Sequence, residues 1–371
     1  MEHSQISVAN SKSQPKKIRL TLSPEAEKYV RRDAPVSVRR MAAGGALPLQ
    51  PIELTSVLFA LLHDPDTQVK QRAQTSLEEL PDVILQTVLT GPTHAAILSF
   101  FSKLKWEDEN ACEMIALNGA ANDLTIAFLA GLPHRRVVDI VSQNQERLVR
   151  CEAIVESLGE NPLTGRAVIE RILKFLGIKD PHADSPDEDV LDEPDELSDE
   201  AAEAAVAALL GDEYAHLAKH LSSEGEEELE DDVLSGNLFA AIQKMTVMQK
   251  IKLARSGGKE ARSLLIRDRN KVVYTSVMMS PKISDNEIVT IANNRNSPEE
   301  ILRIISMKRD FTKHYQVKLG LVRNSKTPTA AAMKFMNYIK EKDLKALMKS
   351  RDVSSVISSQ ARRLLSKKGK I

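Results

Sequence analysis

The sequence is poor in cysteine and in aromatic residues, and each shortage excludes a class of protein. The two cysteines, Cys112 and Cys151, stand far apart and outside any CxxC spacing, which excludes a disulfide framework and a cysteine-based zinc site. Aromatic residues make up 4% of the chain, against 42% hydrophobic residues in total. The core must therefore come from Leu, Ile, Val, Ala and Met, a composition that suits stacked helices better than a β-sandwich.

Long apolar runs are also missing. No stretch of about 18 or more apolar residues occurs, and the basic, polar N-terminus carries no apolar segment behind it. We therefore expect neither secretion nor a membrane span, and the cysteine usage favours a cytoplasmic protein. Residues 1–20 are rich in Ser, Gln and Lys and are predicted to form a disordered arm.

The net charge of −1 conceals three segments of different charge. Residues 1–179 carry 21 Lys and Arg against 21 Asp and Glu, residues 180–236 carry 1 against 21, and residues 237–371 carry 29 against 10. This partition predicts a neutral domain over 21–179, an acidic linker over 180–236 and a basic domain over 237–371.

The acidic linker contains two runs of Asp and Glu with Pro, Ser and Gly, which are predicted to be disordered because they offer little apolar surface to bury. Between them, Ser198 precedes acidic residues and then an Ala- and Leu-rich stretch. That order predicts a short helix near 198–221. Such a helix is expected to dock on one of the flanking domains.

The basic domain contains three similar stretches, 277–289, 291–302 and 321–333. In each of them a turn joins the end of one predicted helix to the start of the next. Ser284 with Glu287 predicts a capping box, and Ser297 and Thr327, each followed by proline, are predicted N-caps. Apolar residues at helical spacing follow each turn: Ile288, Val289, Ile291 and Ala292; Ile301, Leu302, Ile304 and Ile305; Met333, Phe335, Met336 and Ile339; Val353, Val356, Ile357, Ala361 and Leu364. None of these short helices can bury its apolar face alone, so successive pairs must stack.

A related pattern occurs over 38–66, 69–92 and 149–176, where a Val-Arg or Val-Lys pair opens a helix and a turn with Pro or Gly follows. In these units the chain resembles the HEAT-like and leucine-rich-variant helical repeats. The resemblance implies a curved superhelix that binds partners along its surface, and it carries no catalytic residue. The predicted fold is all-α, with two helical-repeat, α-solenoid-like domains joined by an acidic, largely disordered linker.

Three patterns with a catalytic or metal-binding interpretation are weak. The sequence around Gly257 and Gly258 lacks the first glycine and the hydroxyl residue of a phosphate-binding loop, and His216 and His220 have no further ligands at a matching spacing. Trp106 with Asp108 is the pair on which a glycosylase-like helical-repeat enzyme would depend, but a structural Trp is the favoured interpretation. We therefore predict a protein that is not an enzyme, with no catalytic residue, metal or cofactor.

The surplus of positive charge in the basic domain predicts a surface that attracts polyanions. Lys282, Arg295, Arg323 and Lys326 occupy the turns between helices, where stacking is expected to align them along one edge. The predicted basic ridge comprises these four residues together with Lys308, Arg309, Lys313, Arg362, Arg363, Lys367 and Lys368.

Two main functions remain open from the sequence. The first is a scaffold or adaptor whose repeats bind protein partners, with the acidic linker folding onto the basic domain and gating it. The second is a nucleic-acid-binding protein that contacts phosphates through the basic repeats, although single strands call for aromatics among the cations and this domain has only Tyr274, Tyr315 and Tyr338. A glycosylase-like enzyme is a distant third.

Overall fold

The computed structural model describes residues 18–182, 199–210, 215–222, 232–350 and 352–367. All regular secondary structure in these ranges is helical, without a strand, which confirms the all-α prediction. Residues 1–17 of the predicted arm at 1–20 lie outside the described residues. The two acidic runs that were predicted to be disordered lie largely outside them as well. No described helix combines the length and the apolar character that crossing a bilayer requires.

The chain divides into two compact units, Met1–Val141 and Ser142–Ile371. The described residues of the first unit form helices of four to twelve residues. The boundary between the two units falls within the ninth helix. They are α1 (Pro24–Glu27), α2 (Val36–Ala42), α3 (Pro51–Leu61), α4 (Thr67–Glu78), α5 (Asp82–Thr90), α6 (Ala95–Leu104), α7 (Glu109–Leu117), α8 (Asp123–Ala130) and α9 (Arg135–Gln143). The division falls inside the predicted neutral domain 21–179, and the predicted boundaries at 20, 179 and 236 stay predictions.

In the part of the second unit that the structure describes, the remaining helices are accompanied by two 3₁₀ turns, Ala215–Leu217 and Met336–Tyr338. Its helices are α10 (Gln145–Arg150), α11 (Glu152–Glu160), α12 (Arg166–Phe175), α13 (Asp199–Leu210), α14 (Ala218–Ser222), α15 (Asp232–Lys244), α16 (Val247–Ser256), α17 (Lys259–Leu265), α18 (Lys271–Met278), α19 (Asp285–Asn293), α20 (Glu299–Met307), α21 (Arg309–Thr312), α22 (Tyr315–Arg323), α23 (Thr329–Phe335), α24 (Glu341–Lys349) and α25 (Ser355–Lys367).

The predicted apolar faces form the core of the second unit. In α20 all four predicted residues are buried, and Ile288, Ala292, Phe335, Met336 and Ile339 are buried as well. Val356 is half exposed, whereas its neighbour Ile357 is buried together with Ala361. The buried side chains of α25 therefore recur every four residues, as expected for a helix that packs through one face.

One of the three predicted helix starts is confirmed. Ser284 caps α19, and the Glu287 carboxylate accepts a hydrogen bond from the Ser284 amide, which completes the capping box. Ser297 and Thr327 do not cap α20 and α23 with their side chains, so these two predictions are wrong. The Ser297 hydroxyl instead donates to the Ile291 carbonyl, 2.7 Å away, because the end of α19 presents a buried acceptor that needs a donor.

Helices on both sides of the acidic linker pack on each other within the second unit. Both α11 and α12, which precede it, contact α18, which follows it, and α11 also contacts α16. The Asn270 amide donates to the Glu156 carbonyl over 3.2 Å, and the Lys271 ammonium donates to the carbonyls of Asn161, Pro162 and Thr164 over 2.8–3.0 Å. The acidic linker is thus an insertion into one helical unit.

Candidate polyanion-binding surface

A buried asparagine, Asn324, fixes the turn after α22 against the end of α19. The Asn324 side-chain amide donates to the carbonyls of Ala292 and Asn294, at 3.0 and 2.9 Å, while its carbonyl oxygen accepts from the Lys326 amide at 3.1 Å. These bonds satisfy carbonyls at the end of α19 that have no partner within that helix. The turn after α22 therefore lies beside the turn after α19.

Asn118 makes the same set of hydrogen bonds in the first unit. Its amide donates to the carbonyls of Leu89 and Gly91, at 2.7 and 2.9 Å, and its carbonyl oxygen accepts from the Ala120 amide at 2.9 Å. The acceptors precede Asn118 by 29 and 27 residues, against 32 and 30 for Asn324. The two units thus use one local device to join a turn to the end of an earlier helix.

Among the turn residues of the predicted basic ridge, Arg295 and Arg323 are exposed but ion-paired. Arg295 contacts Asp352, with 2.7 Å between Nη2 and Oδ2, and Arg323 contacts Asp343 at 3.3 Å. Because Asp352 lies in the turn before α25, the Arg295 pair also joins that turn to the turn after α19. Exposed pairs of this kind are weak and exchange readily with an outside anion.

Lys282 and Lys326 occupy turns and are exposed. Neither ammonium lies within 4.0 Å of a carboxylate among the residues that the structure describes. Both charges are therefore available to an anionic partner. Arg309 and Lys313 are exposed too, but the Lys313 ammonium is 2.5 Å from the Asp310 carboxylate.

Lys308 does not belong to an exposed ridge, because its side chain is only 6% accessible. Its ammonium donates to Asp180 over 2.9 Å and to the Met278 carbonyl over 3.0 Å. Burial lowers the pKa of Lys308, and the Asp180 carboxylate opposes that shift. Lys308 is thus a packing residue that holds the start of the acidic linker.

The C-terminal helix α25 carries positive charge on its solvent side. Arg362, Arg363 and Lys367 are exposed, whereas Ile357, Ala361 and Leu365 are buried. A shallow groove of about 580 Å³ is lined by Ser359, Arg362, Arg363, Ser366 and Lys367. No carboxylate among the described residues pairs with these three cations, and two hydroxyls beside them offer further hydrogen bonds to an anion. Lys368 lies outside the described residues.

The described parts of the acidic linker contact the helices that follow it. Besides the Asp180 pair, His182 Nε2 lies 3.1 Å from the Ser280 carbonyl oxygen, and its ring packs on Phe311 with centroids 4.9 Å apart. The predicted helix near 198–221 is present as α13, a 3₁₀ turn and α14, and this helical pair packs on α16 and α17. The Leu221 carbonyl accepts from the Gly258 amide at 2.6 Å.

The weaker candidates of the sequence have local structural roles. Asp108 caps α7 by accepting from the amides of Asn110 and Ala111, and the Trp106 carbonyl contacts His134 Nε2 at 2.6 Å. Gly257 and Gly258 form the turn between α16 and α17.

Sequence reasoning missed two lysine–tyrosine contacts in the basic domain. Lys318 Nζ lies 5.0 Å from the centre of the Tyr338 ring, and Lys340 Nζ lies 4.7 Å from that of Tyr315. The three tyrosines differ in access, since Tyr274 is buried and Tyr315 is partly buried. The sequence could not predict these contacts, because each lysine lies at least 20 residues from its tyrosine and the two belong to different segments.

No family model, curated protein or solved structure matches this chain. The functional argument therefore depends on the geometry of the chain itself.

Proposed function

We propose that this chain is a non-enzymatic scaffold or adaptor built from two helical-repeat, α-solenoid-like domains of the HEAT-like or leucine-rich-variant kind. The shared hydrogen bonds of Asn118 and Asn324 support this proposal, because one device recurs at nearly the same interval in both units. Repeats that contact mainly their neighbours leave long surfaces for partners. Both cysteines are free thiols, which supports a cytoplasmic location.

The binding surface of the scaffold is the exposed part of the basic ridge, and its partner is an acidic protein surface. One observation carries this proposal: Lys282, Lys326, Arg362, Arg363 and Lys367 are exposed and have no carboxylate partner among the described residues. Unpaired charges attract an opposite surface over about a Debye length and speed its association.

The acidic linker gates this surface as an internal competitor. Its first residues, Asp180 and His182, contact the basic domain, and its helical pair packs on α16 and α17. Both ends of the first acidic run and the start of the second therefore adjoin residues that contact the same unit as the cations. We infer that an outside partner competes with the acidic runs for these cations.

The experiment measures the affinity of the full chain for a polyglutamate peptide across a salt series. A first variant replaces the Asp and Glu of 183–198 and 223–231 by Asn and Gln, and a second replaces Arg362, Arg363 and Lys367 by Ala. Loss of the linker charge should strengthen binding, and loss of the three cations should weaken it and reduce its dependence on salt. The matched control is Lys345→Ala, because that lysine is exposed and already paired with Glu341 at 3.2 Å.

Two results would contradict the proposal. If polyglutamate binds neither the full chain nor the linker variant at about 50 mM salt, the proposed polyanion-binding surface is refuted. Equal affinities of the full chain and the linker variant would remove the gate and leave the surface.

Nucleic acid is the second candidate partner. The cations of α25 lie beside two hydroxyls, Ser359 and Ser366, along one groove, and this combination suits phosphate oxygens. Duplex DNA in the same salt series tests this candidate. In a plot of the logarithm of the binding constant against the logarithm of the salt concentration, each phosphate contact makes the slope more negative by about 0.9.

A further inference from the structure

Two lysines and two tyrosines form a crossed arrangement in the second unit. Helix α22 supplies Tyr315 and Lys318, and the segment that follows α23 supplies Tyr338 and Lys340. Each lysine lies over the tyrosine of the other segment, at 5.0 Å for Lys318 on Tyr338 and 4.7 Å for Lys340 on Tyr315. Such distances allow attraction between an ammonium and an aromatic ring.

The two tyrosines differ in what holds them. The Tyr315 hydroxyl donates to the Asp343 carboxylate and accepts from the Lys340 amide at 3.1 Å, so this ring is fixed at its polar end. Tyr338 is 63% exposed, and its hydroxyl has no hydrogen-bond partner among the described residues. A single exposed aromatic side chain is common on protein surfaces, so Tyr338 is distinguished by the lysine over its ring and by the cations close to it.

Tyr338 belongs to a lysine-rich stretch, because Lys334 and Lys340 are close to it in sequence and Lys318 lies over its ring. Lys318, Lys334 and Lys340 have no carboxylate within 4.0 Å among the described residues. The 3₁₀ turn that carries Tyr338 also contacts α25, the helix with the groove of basic and hydroxyl side chains. An aromatic ring among unpaired cations is the combination that single-stranded nucleic acid uses, with bases on the ring and phosphates on the cations.

We propose that Tyr338 is a stacking platform for a base of single-stranded nucleic acid, with Lys318 and Lys340 as contacts for the phosphates next to that base. This inference rests on the second candidate function and assigns it a strand type and a contact residue. Duplex DNA keeps its bases stacked inside the helix and cannot use the ring in this way. An acidic peptide would use the lysines but gain nothing from a base-stacking surface.

The test compares Tyr338→Ala with Tyr338→Phe in the full chain. Three probes are titrated at about 50 mM salt: an oligothymidylate of about 20 nucleotides, a duplex of the same length and polyglutamate. Tyr338→Ala should weaken oligothymidylate binding by about 5-fold to 100-fold, whereas Tyr338→Phe should keep it, because the phenyl ring still stacks. Both variants should bind the duplex and polyglutamate as the unchanged chain does.

A salt series separates stacking from phosphate contact. Tyr338→Ala should leave the salt slope unchanged, while Lys318→Ala should reduce it by about 0.7 for a single strand. Oligothymidylate that binds the unchanged chain and Tyr338→Ala equally would overturn the platform. Polyglutamate binding without oligothymidylate binding would overturn it as well and leave the scaffold function standing, whereas a chain that binds no probe would overturn both proposals.

Discussion

Arg262 and Glu287 form a buried, two-point ion pair that joins α17 to α19. Arg262 Nε lies 2.9 Å from Oε1 of Glu287, and Nη2 lies 3.0 Å from Oε2. The same carboxylate accepts from the amide and the hydroxyl of Ser284, both at 2.8 Å. One side chain therefore completes a helix cap and neutralises a fully buried guanidinium.

Removal of the Glu287 carboxylate should strongly destabilise the second unit. Glu287→Ala removes the carboxylate that pairs with the buried Arg262 guanidinium at two points, which is expected to lower the free energy of unfolding by about 3–5 kcal/mol. Urea denaturation followed by circular dichroism measures this change. The matched control is Glu299→Ala, since Glu299 pairs with Arg303 at 3.0 Å on the surface and its loss should change stability by less than about 1 kcal/mol. Similar effects of both variants would show that the buried pair has no special role.

The same pair predicts a dependence of stability on pH. Burial alone would raise the pKa of Glu287, but the hydrogen bonds from Arg262 and Ser284 outweigh it and hold the pKa below its ordinary value of 4.5. The stabilisation is therefore fully present above pH 4.5 and is lost as the pH falls through the lower pKa of the folded state. Denaturation at a series of pH values should show a smaller acid-induced loss for Glu287→Ala than for the unchanged chain. A loss of equal size in both would contradict the assignment.

The shared asparagine device predicts matching losses in the two units. Asn118→Ala and Asn324→Ala each remove a buried amide that serves two carbonyls, so each should lower the free energy of unfolding of its own unit by about 1–3 kcal/mol. Hydrogen exchange read by mass spectrometry assigns each loss to its unit. Asn337→Ala is the control, since Asn337 is exposed and its change should stay within about 0.5 kcal/mol. A loss in only one unit would show that the two asparagines are not equivalent.

Gly159 is required where α11 meets the start of α18. A Cβ atom at this position would overlap the Asn270 side chain, which donates to the Glu156 carbonyl and accepts from the Val272 amide. We expect Gly159→Ala to lower the free energy of unfolding by about 1–3 kcal/mol, measured by urea denaturation. Gly119→Ala is the matched control, because nothing lies within 4 Å of its added Cβ. An unchanged stability of Gly159→Ala would mean that α11 and α18 separate without loss.

The two thiols should react at very different rates in the native chain. Burial, with smaller contributions from Asp108 and Glu109, raises the pKa of Cys112 to about 11, while Cys151 is only partly buried. At a pH of about 8, roughly one Cys112 thiol in a thousand is ionised, and the thiolate is the reactive form. Absorbance during reaction with an aromatic disulfide reagent should show one fast thiol. Cys151→Ser should abolish the fast phase and Cys112→Ser should keep it; the reverse pattern would contradict the assignment.

The features that the sequence predicted correctly depend on local pattern. The low aromatic content, together with apolar residues that recur at helical spacing, indicated an all-α fold. The three-residue interval from Ser284 to Glu287 indicated a capping box. The interval from Ser297 to Glu300 is the same, yet the Ser297 hydroxyl bonds to the end of the preceding helix. A local pattern does not show that a competing acceptor lies nearby in the fold.

The candidate site was predicted in part for the same reason. The positions of Lys282, Lys326 and the cations of α25 at turns and on a polar helix face were visible as patterns, and these residues are exposed. Burial of Lys308 depends on Asp180, 128 residues away, and the contact of Lys318 with Tyr338 depends on how α22 packs beside the 3₁₀ turn. Contacts between residues so far apart in sequence depend on the tertiary fold, which a count of charges along the sequence cannot predict.

The packing of α11 and α12 on α18 has a thermodynamic consequence for the acidic linker. A segment that leaves and re-enters one folded unit stays near that unit at any protein dilution. The proposed competition between this segment and an outside partner is therefore intramolecular, and its effective concentration depends on the length of the segment. If the linker competes as proposed, dilution of the protein will not relieve that competition, and a partner must have high affinity or high local abundance to occupy the cations.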